Sequence, residues 1–313
     1  LEHVGDEVHL RGLIEISNHC VRRCGYCGLR SGNRQLERYR MAAGEVLACA
    51  RRALEYGYGT VVLQAGEHPG LSREWVTDVV VRIKCETGLA VTLSLGERPL
   101  ADLARWREVG ADRYLLRFET SDANLYTAIH PGRGGALGRL SDRLDLLRAL
   151  RGLGYEIGSG VMVGIPGQTM ETLARDVELF AALDLDMIGI GPFIAHPRTP
   201  LGRRSPAGVP NAADRPGPTV PARTPGPLVE EQAPADELTV YKMLALTRLA
   251  CPRANIPSTT ALATVNKESG RELGLQRGAN VVMPNLTPPP YRLKYEIYPD
   301  KACVNETADN VRC

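Results

Sequence analysis

Cys20-Val21-Arg22-Arg23-Cys24-Gly25-Tyr26-Cys27 is the stretch that decides this chain. The pattern is Cys-x3-Cys-x2-Cys, with an aromatic residue just before the last sulfur. Three thiolates on one short loop can bind three irons of a cubane iron–sulfur cluster. No fourth cysteine completes the set nearby, which leaves the fourth iron open to another ligand. Zinc sites usually take four ligands in two pairs, and no second Cys-x-x-Cys or His-x-x-x-His follows.

Outward from the loop, short β-rich runs alternate with amphipathic helical stretches. Strands are expected at Leu10–Ile16, Thr60–Leu63, Ala90–Leu95, Tyr114–Arg117, Ile157–Val163, Met187–Ile190, Asn255–Thr260 and Asn280–Met283. Helices are expected at Ala43–Tyr56, Arg73–Thr87, Leu100–Val109, Arg143–Leu153, Met170–Leu183 and Leu238–Ala250. Gly57, Gly88, Gly110 and Gly154 stop four of the helices. Alternation of this kind argues for an α/β fold with a parallel sheet and helices outside. Eight strands fit a (β/α)8 TIM-type barrel. An open six-stranded partial barrel and a doubly wound sheet are the alternatives.

Polar residues gather just after the strands: Ser17-Asn18-His19-Cys20, Gln64-Ala65-Gly66-Glu67, Ser94-Leu95-Gly96-Glu97, Arg117-Phe118-Glu119-Thr120 and Ser258-Thr259-Thr260. The C-terminal ends of barrel strands carry active sites. Turns into helices are polar anyway, because helices need N-caps, and capping accounts for Ser94 and Thr120. It does not account for Arg117 and Glu119, which alternate toward one side of a strand where unpaired charge is costly.

The chain has 313 residues, enough for one large core, and a net charge of +2. No global field argues for nucleic acid or an anionic membrane. No apolar run approaches a membrane span, and no secretory signal is present. The chain opens on Leu1-Glu2-His3, without Met, as a fragment would. Eight cysteines could staple an extracellular protein, but Cys49 and Cys85 fall inside helical stretches and Cys251, Cys303 and Cys313 are scattered. A reducing cytosol fits better, and the expected location is cytoplasmic. The sequons at Asn285 and Asn305 are chance matches in that setting. Gly202–Ala235 is rich in Pro, Gly, Ala and Arg and reads as a disordered insertion at 202–235 in a single barrel domain spanning 1–313. Gly132-Arg133-Gly134-Gly135-Ala136 fails as a dinucleotide motif, since its third glycine is misplaced and no strand directly precedes it.

The cysteine triplet resembles the signature of the radical SAM superfamily. Further stretches narrow the resemblance: Gly12-Leu13-Ile14-Glu15-Ile16-Ser17-Asn18, Leu36-Glu37-Arg38-Tyr39-Arg40-Met41, Val62-Leu63-Gln64-Ala65-Gly66-Glu67, Asp112-Arg113-Tyr114-Leu115-Leu116-Arg117-Phe118-Glu119-Thr120, Met162-Val163-Gly164-Ile165-Pro166-Gly167-Gln168-Thr169 and Gly278-Ala279-Asn280-Val281-Val282-Met283-Pro284-Asn285. Together they resemble the HydE family of [FeFe]-hydrogenase maturases, from about Arg11 to Cys303. Methylornithine synthase and biotin synthase are the neighbouring groups.

The resemblance implies a [4Fe–4S] cluster on Cys20, Cys24 and Cys27, and S-adenosylmethionine (SAM) on the open iron. By the same resemblance Tyr26 packs beside the adenine, Gln64 and Thr92 contact the cofactor, and Glu119 holds the ribose hydroxyls. Arg143, or Arg139 one turn away, pairs with the methionyl carboxylate. Met162, Met187 and Tyr295 line the cofactor. Arg117, Thr259 and Thr260 would hold an anionic ligand deep in the barrel, with Met283 and Tyr298 lining the same cavity. The implied partners are an iron-complex substrate, the maturases HydG and HydF, and a reductant such as ferredoxin or flavodoxin.

Three features depart from that family. Some members carry an accessory C-terminal cluster on Cys-x7-Cys-x2-Cys; here Cys303 matches the first position but Cys313 is misplaced. Either that cluster is not completed or the chain is cut before it. Phe118 replaces a usual histidine and is expected on the opposite side of its strand. Arg277 replaces a small thiol. The residues also allow a methylornithine synthase-like isomerase, or a non-catalytic iron–sulfur carrier or scaffold.

Overall fold

The computed structural model describes residues 4–132, 138–204 and 231–302. The chain alternates strands and helices: β1 (His9–Ser17), α1 (Ala43–Glu55), β2 (Thr60–Ala65), α2 (Arg73–Thr87), β3 (Ala90–Ser94), α3 (Leu100–Glu108), β4 (Arg113–Leu115), α4 (Ala123–Ile129) and α5 (Leu140–Gly152). There follow β5 (Glu156–Val163), α6 (Met170–Ala182), β6 (Met187–Pro192), α7 (Pro200–Arg204), α8 (Glu237–Ala250), α9 (Thr260–Val265), α10 (Gly270–Gln276), β7 (Val281–Val282) and α11 (Pro289–Arg292).

The seven strands form one sheet in the order β6-β5-β4-β3-β2-β1-β7, with every pair parallel. The expected strand at Asn255–Thr260 is not a ladder. Single parallel bridges join Asn255 and Ser258 to β6 and Pro257 to β7, and these close the ring. Asn255 N–H donates to Asp186, Ser258 N–H donates to Val281, and Val281 N–H returns to Ile256. Pro257 has no N–H to donate, which interrupts the pairing. The strand reading also fails at its end: Thr259 caps α9, accepting from Leu262 N–H, and Thr260 is helical. The barrel is therefore the expected (β/α)8 type, with a degenerate closing strand.

Alternation sorts the strand residues. Ile14, Ile16, Val61, Leu63, Val91, Leu93, Tyr114, Ile188 and Ile190 join the helices' Val46, Leu47, Val79 and Leu147 in one buried core. Their neighbours Glu15, Gln64, Thr92 and Arg117 occupy the other parity. On that parity β5 and β6 are cleared by glycine: a Cβ at Gly189 would stand 3.2 Å from Arg117 Nη1, and one at Gly191 2.9 Å from Thr259 Oγ1. Phe118 is fully buried against Phe180 of α6, on the outer side as expected.

Helix ends follow local chemistry. Ser72 accepts from Trp75 N–H to start α2, and left-handed Gly88 ends it. Gly57, Gly110 and Gly154 also follow helices with positive φ. Ser94 and Thr120 are not N-caps: α3 starts at Pro99 with no side-chain cap, and Asp122 caps α4. The two ends of the 202–235 stretch are structured: α7 runs to Arg204, and Gln232 bridges Thr169. Residues 205–230, the stretch 133–137 of the glycine-rich turn, and Cys303, Asn305 and Cys313 lie outside the described residues. Among the described residues no helix is long and apolar enough to cross a membrane.

Candidate active site

The cysteine loop leaves the end of β1 and is held from several sides. Val21 N–H donates to Glu67, Gly25 N–H to Ile129, and Gly28 N–H to Ile297. A side chain at Gly28 would collide with the Glu296 carbonyl at 2.1 Å, so the segment around Ile297 lies directly on the loop. Arg22, inside the triplet, ion-pairs with Glu67 at 2.9 Å and with Glu97. Glu67 and Glu97 follow β2 and β3, so one arginine ties the loop to two strand ends.

The three sulfurs form a mutually repelling set. Burial and the neighbouring Cys20 push the Cys24 thiol up to about 11, and burial pushes Cys27 higher still. Such a donor set carries three negative charges only when cations balance them, and iron does this. Among the described residues no three His, Cys, Asp or Glu side chains converge as ligands of one metal ion. A cubane cluster takes each thiolate on a separate iron and does not require that convergence.

Polar atoms without partners lie on β3 and just beyond β4. Thr92 Oγ1 and Glu119 Oε2 are buried with no hydrogen-bond partner. Buried polar groups are normally satisfied, so orphans mark places where a ligand completes the bonding. A hydroxyl and a carboxylate oxygen suit a hydroxyl-bearing nucleoside. The residues present therefore fit a cluster and a nucleoside cofactor on one rim.

Glu119 uses its other oxygen on Arg117, at 3.0 Å. The two charges that the sequence places on one face compensate each other. Arg117 also donates to the Val161 carbonyl at 2.7 Å. Arg143 is buried; it donates to the Arg117 carbonyl at 2.8 Å and ion-pairs with Glu97 at 2.9 Å. Arg139 is the exposed residue that precedes α5. Both arginines, with Cys24, Arg22, Glu97 and His130, line a cavity of about 730 Å³ on the helix side of the cysteine loop.

Tyr26 O–H meets His130 Nε2 at 2.9 Å, and burial holds the His130 pKa well below its ordinary value. Gln64 donates to Tyr295 O–H at 3.2 Å, which joins β2 to the C-terminal segment. Met162 lies near the end of β5. Met187 stands apart: it opens β6, and its sulfur accepts from Arg11 at 2.6 Å, at the opposite end of the barrel. Thr259 donates to the Ile190 carbonyl at 3.1 Å. Thr260 and Met283 are half-buried next to this seam. Tyr298 lies in the C-terminal segment and lines a shallow cavity of about 260 Å³ with Lys267, Arg292 and Lys301.

Sequence reasoning singled out neither the Arg22–Glu67–Glu97 bracket nor His130. The signal for the bracket was present, since both glutamates end polar turns at strand ends. The buried pair Glu15–Lys301, 2.5 Å apart, carried no such signal.

A parallel barrel with three cysteines on its first loop and unsatisfied polar atoms at its rim defines a site of the radical SAM class. The model of the Radical SAM superfamily matches residues 14–180. The [FeFe] hydrogenase maturase subunit HydE of Thermotoga maritima is 45% identical over 305 residues, 97% of this chain and 78% of that one. The 3-methylornithine synthase of Methanosarcina acetivorans is 26% identical over 280 residues, 89% of this chain and 69% of that protein. Among solved structures, methylornithine synthase (PylB) aligns with a TM-score of 0.71 at 24% identity, covering 90% of this chain and 73% of that one. HydG, a maturase of the [FeFe]-hydrogenase, aligns with a TM-score of 0.69 at 19% identity, covering 90% of this chain and 57% of that chain. This chain belongs to the radical SAM superfamily and, within it, to the family of the hydrogenase maturase subunit HydE.

Proposed function

We propose that the chain is a radical SAM enzyme that acts in the assembly of the [FeFe]-hydrogenase active site. The observation that carries this reading is the 45% identity to HydE over 97% of the chain. When bound, a [4Fe–4S] cluster and SAM supply a 5′-deoxyadenosyl radical directed at a sulfur-bearing substrate, a cysteine-bound iron carbonyl cyanide species.

The chain's own residues have separate tasks. Cys20, Cys24 and Cys27 hold the cluster. Arg22 keeps their loop against β2 and β3 through Glu67 and Glu97. Thr92 and Glu119 offer their free oxygens to the cofactor, Arg143 takes its carboxylate, and Tyr26 and Gln64 complete the contacts. Arg117 turns Nη1 toward the space that Gly189 leaves open, where it would hold an anionic substrate group. Thr260 supplies a hydroxyl on the seam side, beside Thr259, whose own hydroxyl is committed to the Ile190 carbonyl. Upstream the substrate comes from HydG, downstream the product goes to HydF, and a ferredoxin or flavodoxin supplies electrons.

Arg117→Leu is the test. Reconstituted enzyme with substrate is expected to lose substrate-dependent turnover while its cluster content stays unchanged. Turnover that survives the substitution would remove Arg117 from the anion site. Saturable binding of free lysine would instead favour the methylornithine synthase-like chemistry.

A further inference from the structure

Glu119 adopts a left-handed backbone conformation, with φ of 68°. A side chain rarely adopts that conformation without support from its surroundings. The support on one side is β5: Glu119 N–H donates to Gly160 and its carbonyl accepts from Met162. On the other side is a carboxylate that the proposed chemistry does not use. Ser121 N–H, two residues beyond Glu119, donates to Asp176 of α6 at 2.6 Å. The Ser121 hydroxyl also reaches the Thr172 carbonyl of the same helix, at 3.4 Å.

The second oxygen of Asp176 faces the Gln168 amide nitrogen at 3.5 Å. Gln168 organises the end of β5. It donates to the Met162 carbonyl at 3.0 Å and accepts from Gly164 N–H at 2.7 Å and Ile165 N–H at 3.2 Å. Asp176 and Gln168 are both fully buried. They join the segment after β4 to the segment after β5 from the outer layer of the barrel.

We propose that Asp176 is a positioning residue, which holds these two segments in the arrangement that presents the Glu119 carboxylate to the cofactor. The inference rests on the reading of Glu119 as a cofactor contact. Asp176 has no ion-pair partner within 4 Å among the described residues, an expensive state for a buried carboxylate. Burial pushes its carboxyl up to about 7; hydrogen bonds from Ser121 and the charge of Arg175 oppose the shift, and Asp122 adds to it. A chain that keeps so costly a group keeps it for what it holds. The carboxylate accepts at both oxygens. Asparagine accepts at one and turns a donor toward the other partner, so Asp176→Asn must release Ser121 or Gln168.

SAM affinity, read beside stability, separates this role from a merely structural one. A carboxyl raised from 3.8 to about 7 makes a contribution to stability that is fully present below 3.8 and lost as pH rises through about 7. Asp176→Asn buries no charge, so that pH-dependent loss should be absent from it, whatever the released hydrogen bond costs. A structural role alone predicts a change in stability with SAM affinity unaltered. The positioning role predicts SAM affinity weakened about tenfold, the loss of one charge-assisted hydrogen bond.

The experiment measures SAM binding by anaerobic equilibrium dialysis on cluster-reconstituted wild type, Asp176→Asn, Glu119→Gln and the double variant. Cluster content is checked by iron and sulfide analysis. Expected are unchanged clusters, weaker binding in both single variants, and a double variant no weaker than Glu119→Gln. Wild-type affinity in Asp176→Asn beside weak binding in Glu119→Gln overturns the inference and leaves the reading of Glu119 standing. Wild-type affinity in Glu119→Gln overturns both. If Asp176→Asn does not fold, hydrogen exchange on the cluster-reconstituted wild type decides. Protection of the Ser121 amide should rise on SAM binding by more than that of the Ile188 amide, and an equal change at both overturns the inference.

Discussion

The barrel has a long arc and a short arc, built in different ways. From β1 to β6 the strands form continuous parallel ladders with helices behind them. The short arc, Asn255–Ser258 with β7, has single bridges and a two-residue strand. The long arc carries the cysteine loop and the unsatisfied atoms of Thr92 and Glu119. The short arc carries Thr259, Thr260 and Met283, placed by caps and isolated bonds. A continuous ladder fixes strand ends relative to one another, which suits a cofactor that must bind one way. A seam held by local bonds can change its lining without disturbing that frame.

The joint between the arcs is where a single change should cost most. Glu15 of β1 takes Lys301 at 2.5 Å and Asn285, just beyond β7, at 3.0 Å. Lys301→Met removes the ion-pair partner of a buried carboxylate and leaves it only Asn285 and the charge of Arg292, and should cost about 3 kcal/mol, read by chemical denaturation. A loss under about 1 kcal/mol would mean that the arcs are joined elsewhere. On the long arc, Arg117→Leu should lower substrate-dependent turnover about 100-fold by removing the cation that holds the anionic group, read as kcat/KM. Thr92→Val removes a hydroxyl that has no partner in the ligand-free protein. It should leave the melting temperature unchanged and weaken SAM binding about tenfold, the value of one hydrogen bond. On the short arc, Thr259→Val removes the cap of α9 and should cost about 1 kcal/mol of stability, with SAM affinity intact. A fall in SAM affinity as large as that of Thr92→Val would erase the division between the arcs.

The long arc was legible in the sequence because its signals are local. Arg73–Thr87 was expected as it stands, from the helical periodicity and Gly88. The six leading strands were found to within a few residues for the same reason. The cysteine loop was legible because three ligands fall within eight residues. The seam was misread because Asn255–Thr260 has strand composition, while Pro257 and the cap at Thr259 decide its geometry. Charges were placed on the correct face, but not their partners. The compensation of Arg117 by Glu119 depends on a left-handed turn, and Lys301 meets Glu15 from 286 positions away. No local pattern encodes either. Met187 was misleading because a methionine at a strand start and one at a strand end look alike in sequence.

The thiols allow a smaller check on the site. With Cys24 raised to about 11, the apo-protein should alkylate Cys24 and Cys27 slowly at pH 8 and faster as pH approaches 11, while exposed Cys85 reacts readily throughout. Peptide mapping after iodoacetamide labelling reads the order. Fast labelling of Cys24 at pH 8 would contradict a half-buried thiol held protonated.

Radical SAM chemistry at the rim of the long arc is tested most directly under anaerobic conditions: reconstitute the cluster, add dithionite and SAM, and quantify 5′-deoxyadenosine in wild type and in Cys24→Ala. Production in the wild type that vanishes in the variant is the predicted result. A wild type with a full load of iron and sulfide that makes no 5′-deoxyadenosine would contradict the account and leave an iron–sulfur carrier as the better reading.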